Sequence, residues 1–245
     1  MKTNQYLIDF YNSNDENSRL GSKHGAVEFL TTMHYIEKYL KPGDRILEIG
    51  AGTGRYSHAL ARQGYAVNAV ELVEYNIDIF RKNTLADEKI SVIQGNALDL
   101  SAFPDNQFDI TLLLGPLYHL YNKKDKQQAI REAIRVTKHG GIIFAAYVIS
   151  DGSLLDEGFN QNNFNVAEYI KNGLLDPETF AAKSEPKICQ ESQTMRLIYL
   201  KNSIYKTHSW ILKNFRIFMN LIFPVQIRII FGKYNKILDK TTVLL

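Results

Sequence analysis

Three glycines at alternate positions, Gly50, Gly52 and Gly54, follow an apolar run containing one carboxylate, Glu48, in the stretch ILEIGAGTGRY at residues 46–56. A chain gives up side chains in this way where its backbone must turn sharply, take positive φ, or approach a ligand with no Cβ in the way. With a strand-like run before it and a helical pattern after it, the loop reads as a ligand cradle opening a βαβ unit.

At 245 residues, 45% hydrophobic and 22% charged, the chain is long enough to bury one substantial α/β core with a small appendage. Its N-terminus lacks an uninterrupted apolar stretch, and no run reaches the ~18 apolar residues of a spanning helix, so the expected location is the cytoplasm. The single cysteine, Cys189, rules out an internal disulfide and any multi-cysteine zinc site, and it reads as an incidental thiol in a reducing compartment. Charge is distributed unevenly. Residues 186–245 carry ten Lys/Arg against Glu191 and Asp239, a net +8, whereas the first 185 residues hold 19 basic and 24 acidic residues, a net −5.

Short β-rich apolar runs alternate with helical patterns, which predicts a parallel sheet. The runs are Arg45 to Ile49, YAVNAVE at 65–71, KISVIQ at 89–94, FDITLLL at 108–114 and GIIFAAYVIS at 141–150. Gly64 is the expected end of a helix begun near Tyr56, and Ile130, Ala133, Ile134 and Thr137 give helical spacing over about 124–138. Several runs are continuously apolar, as in strands covered on both faces.

Ligands of such sheets bind outside the carboxyl ends of the strands. Those ends hold Glu48 with the glycine loop, Glu71, Asn96, and the segment GPLYHL at 115–120. Glu71 lies 19 residues beyond Gly52, where a carboxylate can accept from a ribose diol, a geometry that serves both NAD and S-adenosylmethionine. The glycine spacing separates the two: a dinucleotide fingerprint G-x-G-x-x-G from Gly50 requires glycine at 55, where Arg55 stands. The observed E-x-G-x-G-x-G suits a ligand without pyrophosphate and with a cationic sulfonium and amino group.

Together, ILEIGAGTGRYSHALARQGYAVNAVEL, ISVIQGNALDL, FDITLLLGPLYHL and AIREAIRVTKHGGIIFAAY resemble class I S-adenosylmethionine-dependent methyltransferases acting mostly on small molecules, over about residues 19–185. The resemblance implies an α/β fold: a Rossmann-like, doubly wound, mostly parallel sheet with helices on both faces and an N-terminal helical cover. It also implies S-adenosylmethionine as cofactor, S-adenosylhomocysteine as product and a small-molecule acceptor methylated on O or N. Gly50, Gly52 and Gly54 would let backbone approach the methionine moiety, and Glu48 would order that loop and help hold the amino group. Glu71 would take the ribose hydroxyls. Asn96, where the family usually has Asp, and Ala97 would address the adenine edge; Asn keeps an acceptor oxygen for the exocyclic amine. Leu114 and Gly115 would pass beside the sulfonium, and the Gly115-Pro116 turn would aim Tyr118 and His119 at the methyl group or acceptor. This differs from the Asn-Pro-Pro-Tyr motif of enzymes that methylate nucleic-acid bases, so no nucleic-acid partner is expected.

His119 is the candidate general base, with a pocket-wall role as its alternative, because methyl transfer from an activated sulfonium relies chiefly on alignment. No cluster of carboxylates or histidines suggests a metal site. Residues 1–40 read as the helical cover, with Tyr11, Arg19 and His24 placed to line the acceptor site and Tyr6, Phe10, Phe29 and Tyr35 as packing residues. Residues 41–185 read as the cofactor-binding domain. Residues 186–245 have three readings: the last two strands of the sheet, one antiparallel, drawn from MRLIYL, FRIFMNLIF and VQIRIIF; a basic amphipathic helix over 204–222, packed on its own domain or lying on an anionic membrane or partner; or a non-native continuation after a frame shift. A cofactor-binding protein without turnover is the alternative to an enzyme.

Overall fold

The computed structural model describes Ile8 and residues 23–120, 123–147, 165–178 and 226–231. The readings placed on Tyr6, Phe10, Tyr11, Arg19, Cys189 and the proposed helix at 204–222 lie outside these residues.

Helix α1 (Lys23–Glu37) leads to strand β1 (Arg45–Ile49), and α2 (Arg55–Arg62), β2 (Ala66–Glu71), α3 (Glu74–Asn83) and β3 (Ile90–Gln94) follow. Next come β4 (Phe108–Leu113), the short α4 (Pro116–His119), α5 (Lys123–Val136), β5 (Thr137–Tyr147), α6 (Val166–Lys171) and β6 (Gln226–Phe231). The sheet has the order β3-β2-β1-β4-β5-β6, and every neighbouring pair is parallel. The order reverses between β1 and β4, so the loops leaving these strands part and open a crevice at their carboxyl ends.

Two apolar layers cover the sheet. On one face, Met33 and Ile36 of α1 and Leu60 and Ala61 of α2 pack on Ile46, Val67, Ile110, Leu112 and Phe144. Phe80 of α3 joins this side through Ala69. On the other face, Ala129, Ala133, Ile134 and Val136 of α5 meet Leu47, Ile49, Leu113, Ile143 and Ala145. Alternation along β1 therefore sends Ile46 and Glu48 toward α2 and Leu47 and Ile49 toward α5. Within α1, Phe29 packs against the core as expected, whereas Tyr35 is 40% exposed and lies outside that cluster.

Gly64, at φ +94, follows the end of α2 and donates to the Ala61 carbonyl at 2.9 Å, the expected C-terminal glycine. The fifth strand begins four residues earlier than the apolar run suggested, because Thr137 leaves the helix to pair with Phe108 while Ile142 pairs with Ile110. Lys138 to Gly141 bulge out between these pairs, and the Lys138 ammonium binds both Asp109 carboxylate oxygens at 2.7 and 2.8 Å. The bulge excludes a side chain at Gly141, where a Cβ would stand 2.8 Å from the Asp109 carbonyl oxygen.

Of the three tail runs offered as strands, the one containing residues 226–231 supplies β6, which is parallel to β5. The expected antiparallel strand is not found among the described residues. No described helix is long and apolar enough to cross a membrane.

Candidate active site

The glycine loop takes the backbone shape that its composition demands. Gly50, Gly52 and Gly54 have φ of 73°, 55° and 88°, in the left-handed region that costs an L side chain roughly 1–2 kcal/mol. Their surroundings differ. A Cβ on Gly50 would stand 2.8 Å from the Pro116 ring, and one on Gly54 would stand 2.8 Å from the Phe80 ring. A Cβ on Gly52 meets nothing within 4 Å, so the middle of the loop faces open space. That opening is where a ligand would lie against bare backbone.

Glu71 ends β2 beside this opening and is buried. Its Oε2 accepts from the Gly52 N–H at 2.8 Å, while Oε1 accepts from the Val73 N–H at 3.0 Å and the Asn76 amide at 3.3 Å. Burial pushes its carboxyl above the ordinary carboxylate range, against these hydrogen bonds, which favour the ionised form. The Val70 carbonyl accepts from both Gly50 N–H and Ala51 N–H, at 2.8 and 3.1 Å, binding the loop to β2 by main chain as well.

Glu48, 2% exposed, accepts from the backbone N–H of Ser57 at 3.0 Å and from its hydroxyl. It therefore anchors the loop through the first turn of α2, not through the glycine amides. Burial raises its carboxyl from 4.5 to about 8, with a smaller contribution from the Glu71 charge. At neutral pH this side chain holds a proton.

The next strand end is the turn after β3. Gly95 donates to the Glu71 carbonyl at 2.9 Å, the Asn96 Oδ1 accepts from Leu98 N–H at 3.0 Å, and Asp99 N–H closes on the Asn96 carbonyl at 3.0 Å. One lone pair of the Asn96 side-chain oxygen is thus used locally. Ala97 is buried beneath the turn.

At the end of β4, Leu114 and Gly115 are half-buried. Gly115 caps α4, whose first residue is Pro116, a position where a missing N–H costs nothing. Gly115 lies against Gly50, since a Cβ there would be 3.4 Å from the Gly50 carbonyl oxygen. His119 ends α4; its Nδ1 is fully enclosed, and burial lowers the imidazole from 6.5 to about 4, so the ring is neutral at physiological pH. Tyr118 occupies the same turn of helix, and His24 lies in the first turn of α1.

The structure thus brings Glu48, the three glycines, Glu71, Asn96, Ala97, Leu114, Gly115 and the helix carrying Tyr118 and His119 to one end of the sheet. Sequence reasoning missed Ser57 and Asn76, which hold the two buried carboxyls, and Phe80, which wedges Gly54; it read Pro116 as part of a turn but not as the wedge beside Gly50. Nothing in local spacing marks these partners. Among the described residues, no group of three or more His, Cys, Asp or Glu is arranged to hold a metal ion.

Residues 47–145 match the family model described as "Methyltransferase domain". This segment is a class I S-adenosylmethionine-dependent methyltransferase domain. The domain has curated relatives: a demethylmenaquinone methyltransferase of Clavibacter sepedonicus is 35% identical over 102 residues, 41% of this chain and 40% of that protein. A glycine/sarcosine N-methyltransferase of Aphanothece halophytica is 28% identical over 141 residues, 53% of each chain. Among solved structures, the PH0226 protein from Pyrococcus horikoshii OT3 aligns with a TM-score of 0.48 and 25% identity, over 54% of this chain and 62% of that one. The chain spans about half or less of the length of these curated relatives.

Proposed function

We propose that this chain transfers the methyl group of S-adenosylmethionine to an O or N atom of a small-molecule acceptor, acting mainly by positioning. The observation that carries the reading is the junction of Glu71 with the Gly52 amide beside the one glycine of the loop that faces open space. The relatives are named for different acceptors, demethylmenaquinone in one case and glycine or sarcosine in the other, so the shared domain leaves the acceptor to the rest of the chain.

When bound, S-adenosylmethionine supplies a methyl group on an already activated sulfonium. Gly50, Gly52 and Gly54 give the methionine moiety bare backbone, and Glu71 accepts from the ribose hydroxyls. Asn96 and Ala97 read the adenine edge, while Leu114 and Gly115 flank the reacting end. His119, at the end of α4, is the residue that would receive the proton the acceptor loses, although burial makes its imidazole a weaker base than an exposed one. On the sequence resemblance alone, residues 1–40 take the role of a cover, with Tyr11, Arg19 and His24 as its acceptor-side candidates, and residues 41–185 that of the cofactor-binding domain.

Calorimetric titration with S-adenosylmethionine and S-adenosylhomocysteine, with NAD as control, tests the first half of the reading. Saturable binding of the first two and none of NAD is expected; a folded chain that binds neither overturns it. Formation of S-adenosylhomocysteine with an acceptor panel tests the second half. Tight binding with no turnover across amines, phenols and carboxylates would favour a regulatory binding protein.

A further inference from the structure

Helix α5 lies on the opposite face of the sheet from α2, and it holds the turn after β3 at three main-chain points. The Gln128 amide donates to the Leu98 carbonyl at 3.2 Å. The Glu132 Oε2 accepts from the Leu100 N–H at 2.7 Å. The Arg135 guanidinium donates to the Phe103 carbonyl at 2.9 Å and to Asp105 at 2.8 Å. Arg135 also grips both oxygens of Glu132, at 3.0 and 2.8 Å, in a two-pronged pair that fixes the carboxylate as well as neutralising it. Arg135 first, and the Leu100 amide with it, hold the Glu132 carboxyl below its ordinary range, so it stays an acceptor at any physiological pH.

The turn is also seated in the core through Ala97, Leu100 and Phe103, so the bonds from α5 add to apolar packing by fixing its polar main chain. Its own bonds, Leu98 N–H to the Asn96 side chain and Asp99 N–H to the Asn96 carbonyl, close a small ring. Gly95 itself is confined by Val70, whose Cγ1 would lie 2.8 Å from a Cβ there. The bonds from α5 to the Leu98 carbonyl and the Leu100 N–H therefore join core packing in fixing how the turn carries Asn96 and Ala97.

We infer that Glu132, locked by Arg135 and assisted by Gln128, is a positioning residue for purine recognition: it fixes the Asn96–Leu100 turn so that the site distinguishes a 6-amino from a 6-oxo purine. The inference rests on the assignment of Asn96 and Ala97 to the adenine edge. None of the three α5 residues touches ligand, and each acts through the turn.

The experiment compares calorimetric affinities for S-adenosylhomocysteine and its 6-oxo analogue S-inosylhomocysteine in the full-length chain, Glu132→Ala, Glu132→Gln and Gln128→Ala. The unaltered chain should prefer the amino form by about tenfold, the value of one well-made hydrogen bond. Glu132→Ala should shrink that ratio at least threefold, Glu132→Gln should restore part of it by keeping an acceptor for Leu100, and Gln128→Ala should give a smaller loss in the same direction. Equal weakening toward both ligands, with the ratio unchanged, means a merely structural role and overturns the inference. Should Glu132→Ala fail to fold, the ratio in Gln128→Ala decides by the same criterion. If the unaltered chain binds both purines equally, the adenine assignment fails; if it binds neither, the cofactor reading itself fails.

Discussion

The Gly52 amide and the Glu71 carboxylate, 19 residues apart in sequence, meet at 2.8 Å and join the loop after β1 to the end of β2. One oxygen of Glu71 thus holds the cradle while the other is satisfied by Val73 and Asn76. Glu71→Ala removes all three bonds together with the proposed ribose acceptor. Hydrogen bonds to a charged group are each worth about 1.5–3 kcal/mol, so affinity for S-adenosylhomocysteine should fall by about 10- to 100-fold or more. Calorimetry checks this, and an affinity within twofold of the unaltered chain would remove Glu71 from the site.

The glycines of the loop should differ in their tolerance of alanine. Gly52→Ala meets open space and pays only for positive φ, about 1–2 kcal/mol. Gly54→Ala pays that and also drives a methyl into the Phe80 ring at 2.8 Å, adding about 1–3 kcal/mol of overpacking. Urea unfolding of the two variants measures the difference. Ligand binding should show the reverse order among folded protein, since the Gly52 methyl projects where the ligand lies.

Stability should fall as pH rises from 6.5 to 8. Glu48 has a folded pKa of about 8 against an ordinary 4.5. Between these values the folded chain binds a proton that the unfolded chain has lost, so its contribution is fully present below 4.5 and is gone above about 8, at about 1 kcal/mol per pH unit. Glu71, also raised by burial, adds in the same sense. His119 works oppositely: with a folded pKa of about 4 against 6.5, its contribution is present above 6.5 and lost as pH falls toward 4. The two effects oppose each other between 4.5 and 6.5, and only the carboxyls act above that. Urea midpoints measured from pH 5 to 8.5 should show the decline, and Glu48→Gln should flatten it; an unchanged slope in that variant would contradict the assignment.

The sheet was readable from the sequence because its strands are predominantly apolar runs and the ends of the first four carry a polar or glycine signal. Its fifth strand was misplaced at its start because Thr137 fits both periods: it lies four residues after Ala133 on the helix, donates back to that carbonyl at 2.6 Å, and still pairs with Phe108 in the ladder. The bulge that follows depends on Asp109, 29 residues before Lys138, a contact that local pattern cannot encode. Site residues were legible where function demands an unusual residue type, as at the glycines. The residues supporting them were not, because Ser57, Asn76 and Glu132 are ordinary helix residues until the fold brings a buried carboxyl or an exposed turn against them.

A last prediction concerns the buried ion cluster behind the loop. Glu88 accepts from His58 Nδ1 at 2.7 Å, Arg62 Nε at 2.7 Å and the Leu85 N–H at 3.1 Å, and its side chain is 1% exposed. Desolvation opposes ionisation there, but the Leu85 amide, His58 and Arg62 together outweigh it and hold the carboxyl below its ordinary range. His58 stacks edge-on against Phe80 at 4.8 Å, and Phe80 fills the space beside Gly54. Glu88→Ala would strand the buried His58 Nδ1 at a desolvation cost of about 1–3 kcal/mol, while the N–H of exposed Leu85 would turn to water. Arg62, largely exposed, would turn to water at little cost. The variant should therefore lose about 1–3 kcal/mol in urea unfolding. Glu88→Gln, which keeps one acceptor oxygen, should lose less. Because His58 and Phe80 back the outer glycine and not Gly52, S-adenosylhomocysteine affinity per folded molecule should change less than threefold, an order of magnitude below the effect of Glu71→Ala.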